Sequence, residues 1–386
     1  MIPYGRQAIS EADIEAVVRV LRSDWLTQGP EVPDFERAVA DYCGARYAVA
    51  ANSGTSALHL ACLALGVGPG DVVWTSAITF AASANCALYC GARADFVDID
   101  PRTYNMSVEA LAAKLERAKA CGKLPKVVIP VHLCGQPCDM AAIHALGQQY
   151  GFRIVEDASH AIGARYRGEP VGDCRYSDIG VFSFHPVKVI TTAEGGMATT
   201  NDPALAKRMQ LLRTHGITRD AEDMTKEPDG PWYYEQVALG YNYRMTDVQA
   251  ALGSSQMRRV DEFVAARRRL AARYDEFLSG LPLRTPWQHP DTASAWHLYV
   301  VRLKPEEVRR SHREVFEGMR AAGIGVNLHY IPVYRLPYHS RPDLRPQDFP
   351  QTERYYAEAI SLPMYPALST GEQDEVIVAL RAALVS

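Results

Sequence analysis

From Tyr47 onward the chain alternates between two hydrophobic rhythms. Short apolar runs at Tyr47–Ala51, Asp71–Ser76, Ala94–Asp98, Lys126–Val131 and Phe152–Glu156 predict strands. Between them lie longer stretches with apolar residues at helical spacing: Leu58 to Leu65, Phe80–Tyr89, Ser107–Lys119 and Met140–Tyr150. Strands alternating with helices of this length predict an α/β domain built on a mainly parallel sheet. In such sheets ligands bind outside the carboxyl ends of the strands. Two helices precede the alternation. One spans Ser10 to Arg22 with Ser10 as its N-cap, the other Pro33 to Tyr42 after the Gly29-Pro30 break.

A further buried strand is expected at Ile179–Phe184, then Lys188, the pair Gly195-Gly196, and a strand over Met197–Thr200. Past Gly216 the pattern changes. Arg219 to Gln236 reads as a long polar loop carrying Trp232, Tyr233 and Tyr234. Thr246 to Gln249 forms a capping box that opens one long helix toward Leu278, with Arg267-Arg268-Arg269 on a solvated face. Beyond Pro282 the order is strand His297–Leu303, helix Arg310–Ala322, strand Val326–Tyr330, helix Gln351–Ile360 and helix Gly371–Leu384. The expected organisation is a large domain over residues 1–250, including an N-terminal arm. Residues 251–386 would form a linking helix and a smaller α+β domain.

Composition narrows the reading. A chain of 386 residues exceeds the usual size of one core. Its 41 basic and 45 acidic residues leave a net charge of −4, which gives no electrostatic case for nucleic acid or an anionic membrane. No apolar run reaches membrane-spanning length, and Met1 to Arg6 lacks a signal-peptide core. The eight cysteines read as reduced thiols, and the Cys86/Cys90 and Cys134/Cys138 spacings come without the partners of a zinc site, so no metal is expected. A cytoplasmic protein is the expectation.

Several residues then invite chemistry. A Lys at a strand end can lose its proton to desolvation and become a nucleophile toward carbonyls, which is the interest of Lys188; an exposed loop Lys is the alternative. Asn52 to Ala57 is a Gly/Ser/Thr turn at a helix start, suited to a phosphate or to plain capping. Asp157 closes a buried strand, where a carboxylate facing a pyridine nitrogen would keep it protonated. Phe80 follows a strand and could stack on a flat cofactor or simply fill core. Asp98-Ile99-Asp100 has the form of a metal–nucleotide motif but lacks its context. Phosphate turn, aromatic plate, Asp and Lys, in that order along an α/β domain, make one constellation.

Ser183-Phe184-His185-Pro186-Val187-Lys188 with Thr191 to Gly196 resembles the cofactor-binding lysine segment of the DegT/DnrJ/EryC1/StrS nucleotide-sugar aminotransferases. Leu26 to Pro30, Asn52 to Ala57, Ile154 to His160, Gly240 to Asp247 and His329-Tyr330 extend the resemblance over nearly the whole chain. It implies the aspartate aminotransferase type I fold and pyridoxal 5′-phosphate held as an internal aldimine on Lys188. By the same resemblance Asp157 pairs the ring nitrogen, His160 lies beside the ring and Phe80 stacks on it. Thr55, Ser56 and Ser183 hold the phosphate, and Asn242 reaches in from the second subunit of a homodimer. Tyr4, Trp25, Leu26, Thr27, Gly54, Ser183, Asn242, His329 and Tyr330 match positions of the nucleotide-sugar pocket.

Relatives acting at C3 of the sugar usually carry Tyr-Pro before the Lys segment and Asp-Gly-Gly after it; here His185 and Glu194 stand there. The flanks and the loop ending Pro231 to Gln236 resemble the branch that aminates C4 of a UDP-4-keto-6-deoxy-N-acetyl-hexosamine, with L-glutamate as donor, on a pseudaminic-acid type pathway. Alternatives are a C4- or C3-aminotransferase of a dTDP- or GDP-linked keto sugar, a sugar dehydratase, and a non-catalytic regulator. Dehydratase relatives replace the lysine with His, and this chain keeps Lys188. One departure is Cys134, where relatives usually carry Tyr.

Overall fold

In the computed structural model, which describes residues 1–385, the alternating segments assemble into a seven-stranded sheet. Its strands are β1 (Tyr47–Ala51), β2 (Val72–Ser76), β3 (Arg93–Val97), β4 (Val127–Ile129), β5 (Arg153–Asp157), β6 (Ile179–Ser183) and β7 (Gly196–Thr200). They lie in the order β1-β7-β6-β5-β4-β2-β3. The pairs from β6 through β3 are parallel, and β7 runs antiparallel to both of its neighbours. This is the mainly parallel α/β sheet expected from the sequence.

Both faces are covered, which is why the strands read as continuous apolar runs. Val49, Val155, Val181 and Ala198 pack toward the helices Gly54–Ala64, Ala82–Tyr89 and Pro203–Leu212. Ala48, Ala50, Phe182 and Met197 face the opposite layer with Phe35, Val260 and Phe263. A second core surrounds the three-stranded antiparallel sheet of Leu283–Arg284, Tyr299–Leu303 and Ala359–Leu362, under the helices His312–Ala321 and Thr370–Val385. Ile2 enters this core and pairs with Ile324, so the N-terminal arm is tied to the C-terminal part of the chain.

Several expectations need correction. The long helix from Asp247 is two helices, Asp247–Met257 and Val260–Phe277, broken where Arg259 leaves helical geometry at φ −116° and ψ 7°. Arg267 is buried rather than solvated, because it shares one helix face with Val260, Phe263, Val264, Leu270 and Tyr274. The helix expected to reach Ile360 ends at Glu358, and Ala359–Leu362 becomes a strand against Tyr299–Arg302. Leu362 precedes Pro363, a position that disfavours helix. Val326–Tyr330 makes only the single bridge Asn327↔Ser361, leaving that segment irregular. The long loop also closes earlier than expected, since Glu235–Gln236 pairs with Ile217–Thr218.

Candidate active site

β1, β5 and β6 end on one edge of the sheet, and their register brings the segments beyond them together. Ser183 and Ala51 both pair with Gly196, while Asp157 pairs with Val181. The turn after β1, the end of β5 and the loop after β6 therefore meet. They line a cavity of about 680 Å³. The irregular segment 327–331 closes its other side.

The loop after β6 is pinned at its neck. Phe184 N–H donates to Gly195 O at 2.9 Å, Thr192 N–H donates to Phe184 O at 2.9 Å, and the Thr191 hydroxyl donates to the same carbonyl at 3.0 Å. Inside the loop a turn from His185 O to Lys188 N–H, 2.9 Å, directs Lys188 into the cavity. Gly196 must be glycine, because a Cβ there would meet Ser53 O at 2.3 Å. Desolvation pushes the Lys188 ammonium down to about 8, with Asp157 partly opposing it. About a tenth of the amine is thus free at pH 7 and about half near pH 8, far more than for an ordinary Lys, as a carbonyl nucleophile requires.

The helix Gly54–Ala64 starts at the end of β1, with Ser53 as N-cap accepting from Ser56 N–H. The N–H groups of Gly54 and Thr55 come too early for intrahelical acceptors, and both residues line the cavity with Ser183. Here Ser56 differs from its expected place. Its hydroxyl donates to Asn52 Oδ1 at 2.6 Å, the residue is buried, and it is not among the lining residues.

Asp157 is buried at the end of β5. Its Oδ2 accepts from the Ser83 hydroxyl at 2.6 Å, and its Oδ1 from Ser159 N–H at 3.1 Å. Phe80 is 60% exposed although it lines the cavity, an open apolar face in a concave site. His160 is buried, with Nε2 at 3.2 Å from the Tyr330 hydroxyl and Nδ1 without a partner. Burial, then the Lys188 charge, holds His160 well below the usual imidazole range, so the ring is neutral. His329 is held down to about 4 for the same two reasons, and its Nδ1 lies 2.8 Å from the Ser361 hydroxyl. Tyr4 packs its ring 5.3 Å from that of His329.

Of the residues singled out from sequence, Tyr4, Gly54, Thr55, Phe80, Asp157, His160, Ser183, Lys188, His329 and Tyr330 share this cavity. Trp25 and Leu26 are exposed, and Thr27 bridges to Thr246 at the start of the helix Asp247–Met257. Asn242 is exposed, and its carbonyl accepts from Asn52 Nδ2 at 3.3 Å. None of these four lines the cavity of its own chain. Asp98 caps the helix Pro350–Glu358 through Gln351 and Thr352, which accounts for that carboxylate without a metal.

Sequence reasoning missed His297, read only as the start of a strand. It is buried against His160 with ring centroids 4.3 Å apart, lines the cavity, and has an unpartnered Nδ1. No local signal marks it. Thr79 also lines the cavity, and the rule that sites lie beyond strand ends could have found it, three residues past Ser76 at the end of β2.

These residues fit pyridoxal phosphate. A partly desolvated amine, an open aromatic face, a buried carboxylate and free helix N-terminal donors surround one cavity, with an unpartnered imidazole nitrogen among them.

A model of the DegT/DnrJ/EryC1/StrS aminotransferase family matches residues 7–381. The spore coat polysaccharide biosynthesis protein SpsC of Bacillus subtilis is 40% identical over 384 residues, covering 98% of this chain and 96% of SpsC. Among solved structures, Spr1654 of Streptococcus pneumoniae in its PMP form superposes with a TM-score of 0.89 at 31% identity, covering 99% of each chain. PseC of Helicobacter pylori, an aminotransferase involved in the biosynthesis of pseudoaminic acid, gives a TM-score of 0.89 at 28% identity, again over 99% of each chain.

Proposed function

The chain belongs to the DegT/DnrJ/EryC1/StrS aminotransferase family, a pyridoxal phosphate-dependent enzyme family, and from that premise we propose that it aminates C4 of a UDP-4-keto-6-deoxy-N-acetyl-hexosamine. L-glutamate is the donor in this reading, leaving as 2-oxoglutarate. The product is a UDP-4-amino-4,6-dideoxy sugar of the pseudaminic-acid type, made in the cytoplasm; the enzyme would act as UDP-4-amino-4,6-dideoxy-N-acetyl-β-L-altrosamine transaminase.

The observation that carries amine transfer is that Lys188, its ammonium lowered to about 8, opens into one cavity with Phe80, Asp157 and the Gly54-Thr55 turn. When bound, the cofactor supplies an aldehyde for the donor's amine and a ring that takes up electrons from a breaking C–H bond. Lys188 Nζ then takes and returns the proton at the reacting carbon. Thr55 and Ser183 would hold the phosphate, Asp157 would face the ring nitrogen and Phe80 would cover one face of the ring. Tyr4, His329 and Tyr330 stand where the sugar nucleotide would lie.

Amination at C4 is favoured by His185 and Glu194, which both line the cavity, and by the likeness to PseC. The higher identity to SpsC favours a second reading, another nucleotide-linked keto sugar destined for a surface polysaccharide. A shared-site homodimer is supported by Asn242, which lies outside its own cavity, and by exposed apolar side chains at Trp25, Leu26, Trp232 and Leu239.

The test is a panel of UDP- and dTDP-4-keto sugars with glutamate, the new amino group being located by NMR. Amination of only the UDP-N-acetyl substrate at C4 is expected. A product aminated at C3, or turnover restricted to dTDP sugars, refutes the proposal. Borohydride should fix the cofactor on Lys188, and a colourless Lys188→Arg variant with full turnover would refute amine transfer through that residue.

A further inference from the structure

We propose that Thr79 and Ser83 form a two-hydroxyl relay that positions the Asp157 carboxylate toward the cofactor's ring nitrogen. The inference rests on the reading that Asp157 faces that nitrogen. The three groups are buried in a row: Thr79 Oγ1 lies 2.7 Å from Ser83 Oγ, and Ser83 Oγ lies 2.6 Å from Asp157 Oδ2. All three are less than a tenth exposed, so water does not substitute for these bonds.

Counting protons sets the direction. Ser83 has one hydroxyl proton and three acceptors in reach, Phe80 O at 3.3 Å, Thr79 Oγ1 at 2.7 Å and Asp157 Oδ2 at 2.6 Å. The shorter bond, to a carboxylate, is the stronger. Ser83 Oγ then has only lone pairs for Thr79, so the Thr79 hydroxyl donates to it. In this direction every proton has an acceptor and Asp157 is the anionic terminus. If Asp157 carried a proton and donated it to Ser83, the hydroxyls of Ser83 and Thr79 would have to reorient around it, giving up the short bond that Ser83 makes to a carboxylate.

Placement adds a second role. Ser83 sits in the first turn of the helix Ala82–Tyr89, three residues after Phe80, and its N–H bonds Phe80 O at 3.2 Å. One turn therefore carries both the aromatic plate and the hydroxyl that orients the carboxylate. With Ser159 N–H on Oδ1, the relay on Oδ2 fixes the carboxylate plane and leaves its remaining lone pairs for the ring. Ser83 and Thr79 are positioning residues, acting through Asp157.

The holoenzyme reconstituted with ring-¹⁵N pyridoxal phosphate reports the result directly, through the ¹⁵N shift of the ring nitrogen followed against pH. Wild type and Thr79→Ser should show a protonated nitrogen across neutral pH. Ser83→Ala should lower its proton affinity by about tenfold, and Thr79→Val by a few-fold. Asp157→Asn should lose the protonated signal. Wild-type titrations in Ser83→Ala and Thr79→Val, alongside loss in Asp157→Asn, would overturn the relay while leaving the place of Asp157 intact. A protonated signal retained in Asp157→Asn would instead refute the reading on which the relay rests, and the relay with it. A lowered melting temperature with an unmoved titration marks a merely structural role and also overturns it. Should Ser83→Ala not fold, Thr79→Val, which keeps the side-chain shape, decides alone.

Discussion

Gly54 and Ser183 approach so closely that a Cβ on Gly54 would sit 2.8 Å from the Ser183 Cβ and 3.1 Å from its hydroxyl. Ser183 is held by its pairing with Gly196, so it has little room to retreat. Gly54→Ala is therefore expected to displace the Ser183 hydroxyl or the first turn of the helix, the two sides of the phosphate cradle. Overpacking of this kind costs about 1–3 kcal/mol. Titration of the apoenzyme with pyridoxal phosphate should show affinity weakened by about tenfold or more; an unchanged dissociation constant would place the phosphate elsewhere.

Lys188 gives a pH prediction with a definite sign. Its folded value, about 8, lies below the ordinary value of 10.5, so between these the unfolded chain binds more protons than the folded one. Apoenzyme stability attributable to this amine therefore rises with pH across that window. Lys188→Met removes the desolvated charge. The apo variant should melt above apo wild type at pH 7, and the lead should shrink as pH rises through the window. Thermal scans of both proteins from pH 7 to 10 check this, and a lead independent of pH would mean the amine is not desolvated.

Much of this architecture is legible in the chain because burial on both faces leaves an unambiguous apolar run. Ile179–Phe182 is such a run, and the loop carrying Lys188 is the stretch between it and the buried strand Gly196–Thr200. What stays hidden depends on contacts distant in sequence. Ala359–Leu362 is a strand because Tyr299–Arg302 offers an edge, and nothing within the segment announces that partner. His297 meets His160 only through tertiary packing. Ser83 looks like an ordinary helix residue until Asp157, 74 positions away, is brought beside it. Arg267 differs: its spacing from Phe263, Val264, Leu270 and Tyr274 marks a buried position, and the run of three arginines masked it.

Arg267 should be costly to remove. Its Nη1 donates to the carbonyls of Trp296, His297 and Met364 at 3.3, 3.0 and 2.9 Å, joining the helix Val260–Phe277 to the segment that presents His297. Burial lowers its guanidinium to about 10, still charged at neutral pH. Arg267→Met keeps the stem but strands three buried carbonyls, for a loss of about 2–4 kcal/mol. Denaturant unfolding measures it. A change below about 0.5 kcal/mol, the scale of an ordinary surface substitution, would show that the carbonyls find other donors.

Asn242 carries the last prediction. It lies outside the cavity of its own chain and is fixed near the end of β1 by the Asn52 side chain bonding its carbonyl. A side chain so placed serves its own site only if the chain rearranges, but it can complete a neighbour's site across a two-fold axis. Lys188→Ala and Asn242→Ala, made separately, should each lose most activity. Co-expressed with different tags and purified as the mixed dimer, they should recover activity that neither parent has. In that dimer one site combines a wild-type Lys188 with a wild-type Asn242 from the other subunit, while the second site lacks both. A mixed dimer no more active than its parents would confine Asn242 to its own chain and remove this support for shared sites.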